Sequence, residues 1–174
     1  MFDSFFGRPA AYAKITGEAA GSSISGIMYI YPERDGSLLS VRVNGLPRAE
    51  GNCGSRFFAL HIHEGSACSG EGFSGAGAHF SKGDCVHPHH AGDMPPLIGC
   101  GARAYLAVLT GSFTPWEVIG RTVIIHEGMD DFTSQPAGNA GARIACGVIQ
   151  PSLPNRLKRN SPAGKMPESL RNII

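Results

Sequence analysis

No stretch of this chain is apolar over the ~20 residues that a membrane-crossing helix needs, so no membrane partner is expected. The opening MFDSFFGRPAAYAK lacks a basic region followed by a long apolar stretch. No signal peptide is visible, so the expectation is a cytoplasmic chain, or one supplied without its leader. No CxxC pair is present, which excludes a zinc ribbon. No segment before residue 150 reads as an amphipathic helix, and no internal repeat is found. Charge is also scarce, at 17% of 174 residues and a net +1. That small net value hides a split. Residues 151–174 carry Arg156, Lys158, Arg159, Lys165 and Arg171 against Glu168 alone, a net +4, which leaves residues 1–150 at −3. An acidic body with a basic tail excludes a nucleic-acid-binding domain.

Glycine and proline are abundant, at 24 and 12. They imply many turns and favour short strands over long helices. The length suits one domain with a real core. AYAKIT, SISGIMYIYP, LLSVRVNGLP, RFFALHIHE, ARAYLAVLT, GRTVIIHE and ARIACGVIQ alternate in polarity or are rich in β-branched residues, and read as strands of an antiparallel sheet. Residues 93–98 offer an eighth. The expected fold is all-β, a Greek-key barrel or sandwich of about eight antiparallel strands over residues 1–150. Residues 151–174 then form a basic, flexible tail. Two connections, 64–92 and 127–142, are long enough to be functional loops. The five cysteines, Cys53, Cys68, Cys85, Cys100 and Cys146, allow at most two internal disulfides or none.

All seven histidines lie in or beside these loops. His61 and His63 alternate along a strand, so both imidazoles face the same way about 6.6 Å apart and can reach one ion. His126 ends a neighbouring strand and could join them. The stretch HFSKGDCVHPHHAGD supplies His79, His87, His90 and Asp93, three imidazoles and a carboxylate of the kind a four-coordinate Zn²⁺ accepts. His90 and Asp93 are three apart and could share an ion in a turn, whereas the neighbouring His89 would point elsewhere. A solvated histidine-rich loop is the competing reading of the same residues.

The motifs HIHE, GAHF, HAGD, GRTVIIHE and GNAGARIACGVI, in this order and with NGLP ahead of them, resemble copper/zinc superoxide dismutases over roughly residues 10–150. The resemblance implies an eight-stranded Greek-key barrel, one copper and one zinc per chain, and superoxide as substrate. It gives copper to His61, His63, His79 and His126. It gives zinc to His79, His87, His90 and Asp93, with His79 bridging the two ions and acting with Arg143 in catalysis. Arg143 would guide the anion, and Asp130 would link a copper-ligand histidine to a zinc-ligand histidine. Cys68 and Cys146 match the family's disulfide.

Only two residues separate His87 from His90, fewer than in the familiar eukaryotic members, which keeps His89 open as a substitute ligand. The loop from Gly128 to Asn139 is short and lacks the lysine and glutamates that help guide the anion there, which leaves more of the steering to Arg143. The lost length changes the surface available for a homodimer, so that assembly stays open, and no copper-loading partner is identified. Cys53 precedes the HIHE strand and Cys100 follows the segment expected to pair with it, so a Cys53–Cys100 bridge is sterically plausible. Cys85 is then a free thiol, or a thiolate near the zinc. The rival readings are a non-catalytic metalloprotein of the same fold, a β-sandwich module that merely buffers metal, and a zinc hydrolase. The last lacks a zincin-type helical glutamate.

Overall fold

The computed structural model describes residues 7–49 and 56–152. Eight antiparallel strands close into one barrel: β1 (Ala11–Ala19), β2 (Ser22–Glu33), β3 (Gly36–Asn44), β4 (Phe57–His63), β5 (Asp93–Cys100), β6 (Arg103–Thr110), β7 (Thr122–His126) and β8 (Arg143–Pro151). Around the barrel they run β1-β2-β3-β6-β5-β4-β7-β8, and β8 returns to β1. The non-consecutive neighbours β3–β6 and β4–β7 are the Greek-key crossovers. The expected eight-stranded barrel is met, including the eighth strand at residues 93–100. No helix among the described residues is long and apolar enough to cross a membrane.

Alternation along the strands builds the core. Ala11, Ala13 and Ile15 of β1 and Leu39, Val41 and Val43 of β3 point inward with Met28, Ile30, Phe58, Leu60 and Ile62. Full burial of each large side chain contributes roughly 1.5–3 kcal/mol. The β1–β2 hairpin turns at Ala20 and Gly21, both at positive φ (50° and 72°), the two-residue geometry that matches strand twist. β3 stops at Asn44, because Gly45 at φ 82° turns the chain away. The expected strand LLSVRVNGLP is shorter by its last three residues for that reason. Two short helical pieces escaped the sequence reading, a 3-10 segment Glu71–Ala76 and α1 (Pro115–Val118), because four to six residues are too few to show a period.

Strands β4 and β7 depart from alternation in a useful way. Both faces of each are buried from Phe58 to His63 and from Thr122 to His126. Phe58, Leu60 and Ile62 fill the barrel, so His61 and His63 must lie on its outside, yet neither is solvent-exposed. The long loops 64–92 and 127–142 cover that face. The first carries Ala76, which joins Ile124 of β7 and Cys146 of β8 in a small second core, with Cys68 and Phe73 packed against it. The Cys68–Cys146 disulfide fastens this loop to β8. The second loop is held by the Ala59 N–H, which donates to Gly128 O at 2.7 Å. β8 pairs with β1 out to Pro151, so the last strand crosses the boundary expected at residue 150. The remainder of the expected tail, from residue 153, lies outside the described residues.

Candidate metal centre

The outward-facing histidines of β4 and β7 meet a third from the first loop. Ligand-capable atoms of His61, His63, His79 and His126 all lie within 4.8 Å of one another, as do those of His79, His87, His90 and Asp93. His79 belongs to both sets. Its place is fixed by a β-bridge to His63 and by hydrogen bonds from Phe80 N to Ile62 O and from Gly92 N to Phe80 O. Residue 92 must be glycine here, since a Cβ would collide with Ile62 O. Asp93 follows at the start of β5, opposite His61 in the sheet register.

Five of the six rings are anchored at one nitrogen, and His90 is held through its backbone N–H instead. The Nδ1 of His63 contacts Gly77 O at 3.0 Å, and that of His126 contacts Gly141 O at 3.2 Å. A carbonyl only accepts, so Nδ1 carries the proton in both rings and the Nε2 lone pair is free. The buried carboxylate of Asp130 accepts from His61 Nε2 through Oδ2 and from His87 Nε2 through Oδ1, each at 2.9 Å. Phe132 N also donates to Oδ1, at 2.7 Å. One carboxylate thus fixes a ring in each set and leaves both Nδ1 atoms as lone-pair donors. His79 Nδ1 lies 2.7 Å from Asp93 Oδ1, and Asp93 Oδ2 also accepts from His90 N at 3.0 Å. The Nδ1 atoms of His87 and His90 are each 3.1 Å from Asp93 Oδ2, without the alignment of a hydrogen bond.

The consequence is a row of buried nitrogens with no hydrogen-bond partner: Nδ1 of His61, His87 and His90, and Nε2 of His63, His79 and His126. Each unsatisfied buried polar atom costs about 1–3 kcal/mol, so six side by side call for a different kind of partner. Their charge state suits a cation. Burial, then neighbouring His79 and His126, lowers the His61 pKa to about 2. Burial also lowers His63 to about 3 and His126 to about 4, against the raising effect of their backbone hydrogen bonds. All three are neutral at neutral pH, which is the form a metal takes. Burial alone would raise the Asp93 pKa, but the hydrogen bond and charge of His79, with the charge of His87, hold it below its ordinary value. Four imidazoles fit copper, and three imidazoles with one carboxylate fit zinc.

Arg143 opens β8 as the register partner of His126. Its Nη1 donates to Phe73 O at 2.9 Å and its Nη2 to Gly77 O at 2.7 Å, the carbonyl that also holds His63. A cavity of about 340 Å³ opens beside His126, lined by Ser134, Gln135, Asn139 and Gly141 among others. His89 is exposed and lies outside both sets, and so does Cys85, whose exposed Sγ is 3.6 Å from Lys82 O. Cys100 is a free, exposed thiol, and Cys53, its partner in the suggested second bridge, lies outside the described residues. Sequence reasoning missed the carbonyls of Gly77 and Gly141, since every residue has one. It also missed Gln135, whose Nε2 donates to His87 O at 2.6 Å.

The sequence model of one family, described as copper/zinc superoxide dismutase, matches residues 24–149. A superoxide dismutase [Cu-Zn] of Deinococcus radiodurans is 30% identical over 165 residues, covering 83% of this chain and 86% of that protein. Superoxide dismutase [Cu-Zn] 2 of Aquifex aeolicus is 35% identical over 131 residues, covering 66% of this chain and 72% of its own length. Among solved structures, a point mutant of a superoxide dismutase-like protein from Bacillus subtilis superposes with a TM-score of 0.67 at 26% identity. It covers 80% of this chain and 97% of its own.

Proposed function

The chain belongs to the copper/zinc superoxide dismutase family, and from that premise we propose that it disproportionates superoxide to O₂ and H₂O₂. In this reading copper is held by His61, His63, His79 and His126, and zinc by His79, His87, His90 and Asp93. One observation carries it: the two donor sets share a single residue, His79, whose Nδ1 lies against Asp93 of one set while its buried Nε2 has no hydrogen-bond partner. A site for one ion needs no such residue. Bound there, copper supplies a one-electron couple, and zinc, which has no redox chemistry, supplies fixed charge.

The chain's own groups then have distinct tasks. His79 Nε2 takes up and gives back a proton, while Nδ1, on the side of the ring that faces Asp93, would be held by zinc and so keep the ring in place. Asp130 holds His61 and His87 in the tautomers that present Nδ1 as a ligand. Arg143 spends one N–H on each of two carbonyls, which fixes the plane of its guanidinium, and its remaining N–H groups bind the small anion. No lysine or glutamate occurs between Gly128 and Asn139, so Arg143 provides most of the steering field at the mouth.

The test is metal content and superoxide turnover on one metal-loaded sample. We expect one copper and one zinc per chain, fast turnover, loss of it in His126→Ala and a weaker rate in Arg143→Ala. Zinc alone, with no turnover after copper is added, would overturn the reading in favour of a structural zinc loop.

A further inference from the structure

Arg121 sits one residue before β7 and outside both donor sets. Its guanidinium lies 3.9 Å from the ring centroid of Phe80, the residue after His79. Its Nη1 donates at 3.3 Å to the carbonyl of Glu64, the residue after His63, and its Nε donates at 3.0 Å to Glu117 O in α1. Glu64 N in turn donates to Ala78 O at 2.9 Å, one residue before His79. A single side chain therefore gathers three segments that carry site histidines: the end of β4, the stretch 78–80 and the start of β7. A second link from this loop to α1, the ion pair between Lys82 Nζ and Glu117 Oε1 at 2.6 Å, has both partners about 40% exposed and holds little in water. Phe80 is 5% exposed and Arg121 is half-buried, so the stacked contact is better shielded from water than the ion pair and is the stronger of the two. A planar guanidinium can stack by its face and donate from its edge at once, which an ammonium cannot.

We infer that Arg121 is a positioning residue that holds His79 where both of its ring nitrogens serve, one in each donor set. The inference rests on the two-metal reading above. It predicts that removing Arg121 separates the two sites electronically before it empties either one.

The test uses the full chain loaded with copper(II) and cobalt(II), read by electron paramagnetic resonance. Two paramagnetic ions joined through one imidazolate ring couple, and the copper signal is quenched. We expect quenching in the wild type. In Arg121→Ala at least half of the copper signal should return while one copper and one cobalt per chain remain bound. Arg121→Lys restores the charge without the stacked fork and should not rescue the quenching. If Arg121→Ala fails to fold cooperatively, Phe80→Leu removes the stacking ring while keeping apolar volume, and the same return of signal is expected. Full quenching in the folded Arg121→Ala protein, or in Phe80→Leu where it takes that place, overturns the assignment. A wild type that binds both ions without quenching overturns the shared-ligand reading itself, and the inference with it.

Discussion

Replacing Asp130 by alanine should weaken the two donor sets unequally. The carboxylate is fully buried and accepts from His61 and His87. Its loss leaves two buried ring N–H groups without an acceptor, at about 1–3 kcal/mol each. Either ring can escape by moving its proton to Nδ1, but that nitrogen then ceases to be a ligand. Loss of such a supporting group typically lowers metal affinity 10–100-fold. The division between sites follows from what else holds each ring. His61 lies in β4, paired to Asp93 on one side and to Ile124 on the other, so its backbone stays fixed. His87 lies in a loop, and apart from Asp130 its described hydrogen bond is the one from Gln135 to its carbonyl. In copper-loaded Asp130→Ala, zinc affinity measured by chelator competition should fall by about 10–100-fold. Copper affinity should fall by less than the zinc affinity does. A larger loss of copper than of zinc, or an unchanged zinc affinity in a protein that still unfolds cooperatively, would refute the reasoning.

Two further outcomes concern stability. The Cys68–Cys146 bridge closes a loop with a sequence separation of 78. The chain-entropy relation assigns such a loop about 4–5 kcal/mol, so Cys68→Ser/Cys146→Ser should lower the urea-derived unfolding free energy by that order, and a loss under about 1 kcal/mol would contradict it. The metal-free protein should lose stability in acid. His61, His63 and His126 have folded pKa values of about 2, 3 and 4 against an ordinary 6.5. Between those values the unfolded chain binds more protons, so stability is full above about pH 6.5 and falls as pH drops below it. Each histidine contributes a slope of up to about 1.4 kcal/mol per pH unit. Urea midpoints of the metal-free protein at pH 7.5, 6 and 5 would expose a flat profile if this is wrong.

The strands were legible because alternation survives in the sequence: Ala11, Ala13 and Ile15, or Leu39, Val41 and Val43, announce one inward face. The His61–His63 spacing was legible for the same reason, since period two puts both rings on one side of β4. What period two does not say is that the outer side is covered. That depends on Ala76, Cys68 and Phe73 arriving from a loop whose path has no local signature. The carbonyls that orient the rings and Arg143 are invisible in principle, because a backbone acceptor at Gly77 or Gly141 is a matter of where the chain runs. Arg121 was in plain view within GRTVIIHE, but its role depends on Phe80, 41 positions away in sequence and 3.9 Å away in space.

The two donor sets differ in what orders them. Three of the four histidines in the first set are placed by strands, so the entropy of holding them is offset by the barrel core, whose apolar side chains are needed for folding in any case. Loop residues supply His79, His87 and His90 of the second set, and their ordering is offset by a few discrete links. These are the disulfide, the carboxylate of Asp130 and the stacked guanidinium of Arg121. A short loop carries a lower closure cost than a long one, though only weakly with length, so shortening alone does not place His87. The links do, and each ties a loop to a strand or to its neighbouring loop at a point close to a ligand. The strand-borne set should therefore tolerate change at the loops, while the loop-borne set should fail link by link. That is why Asp130, which touches both sets, separates them so cleanly in prospect.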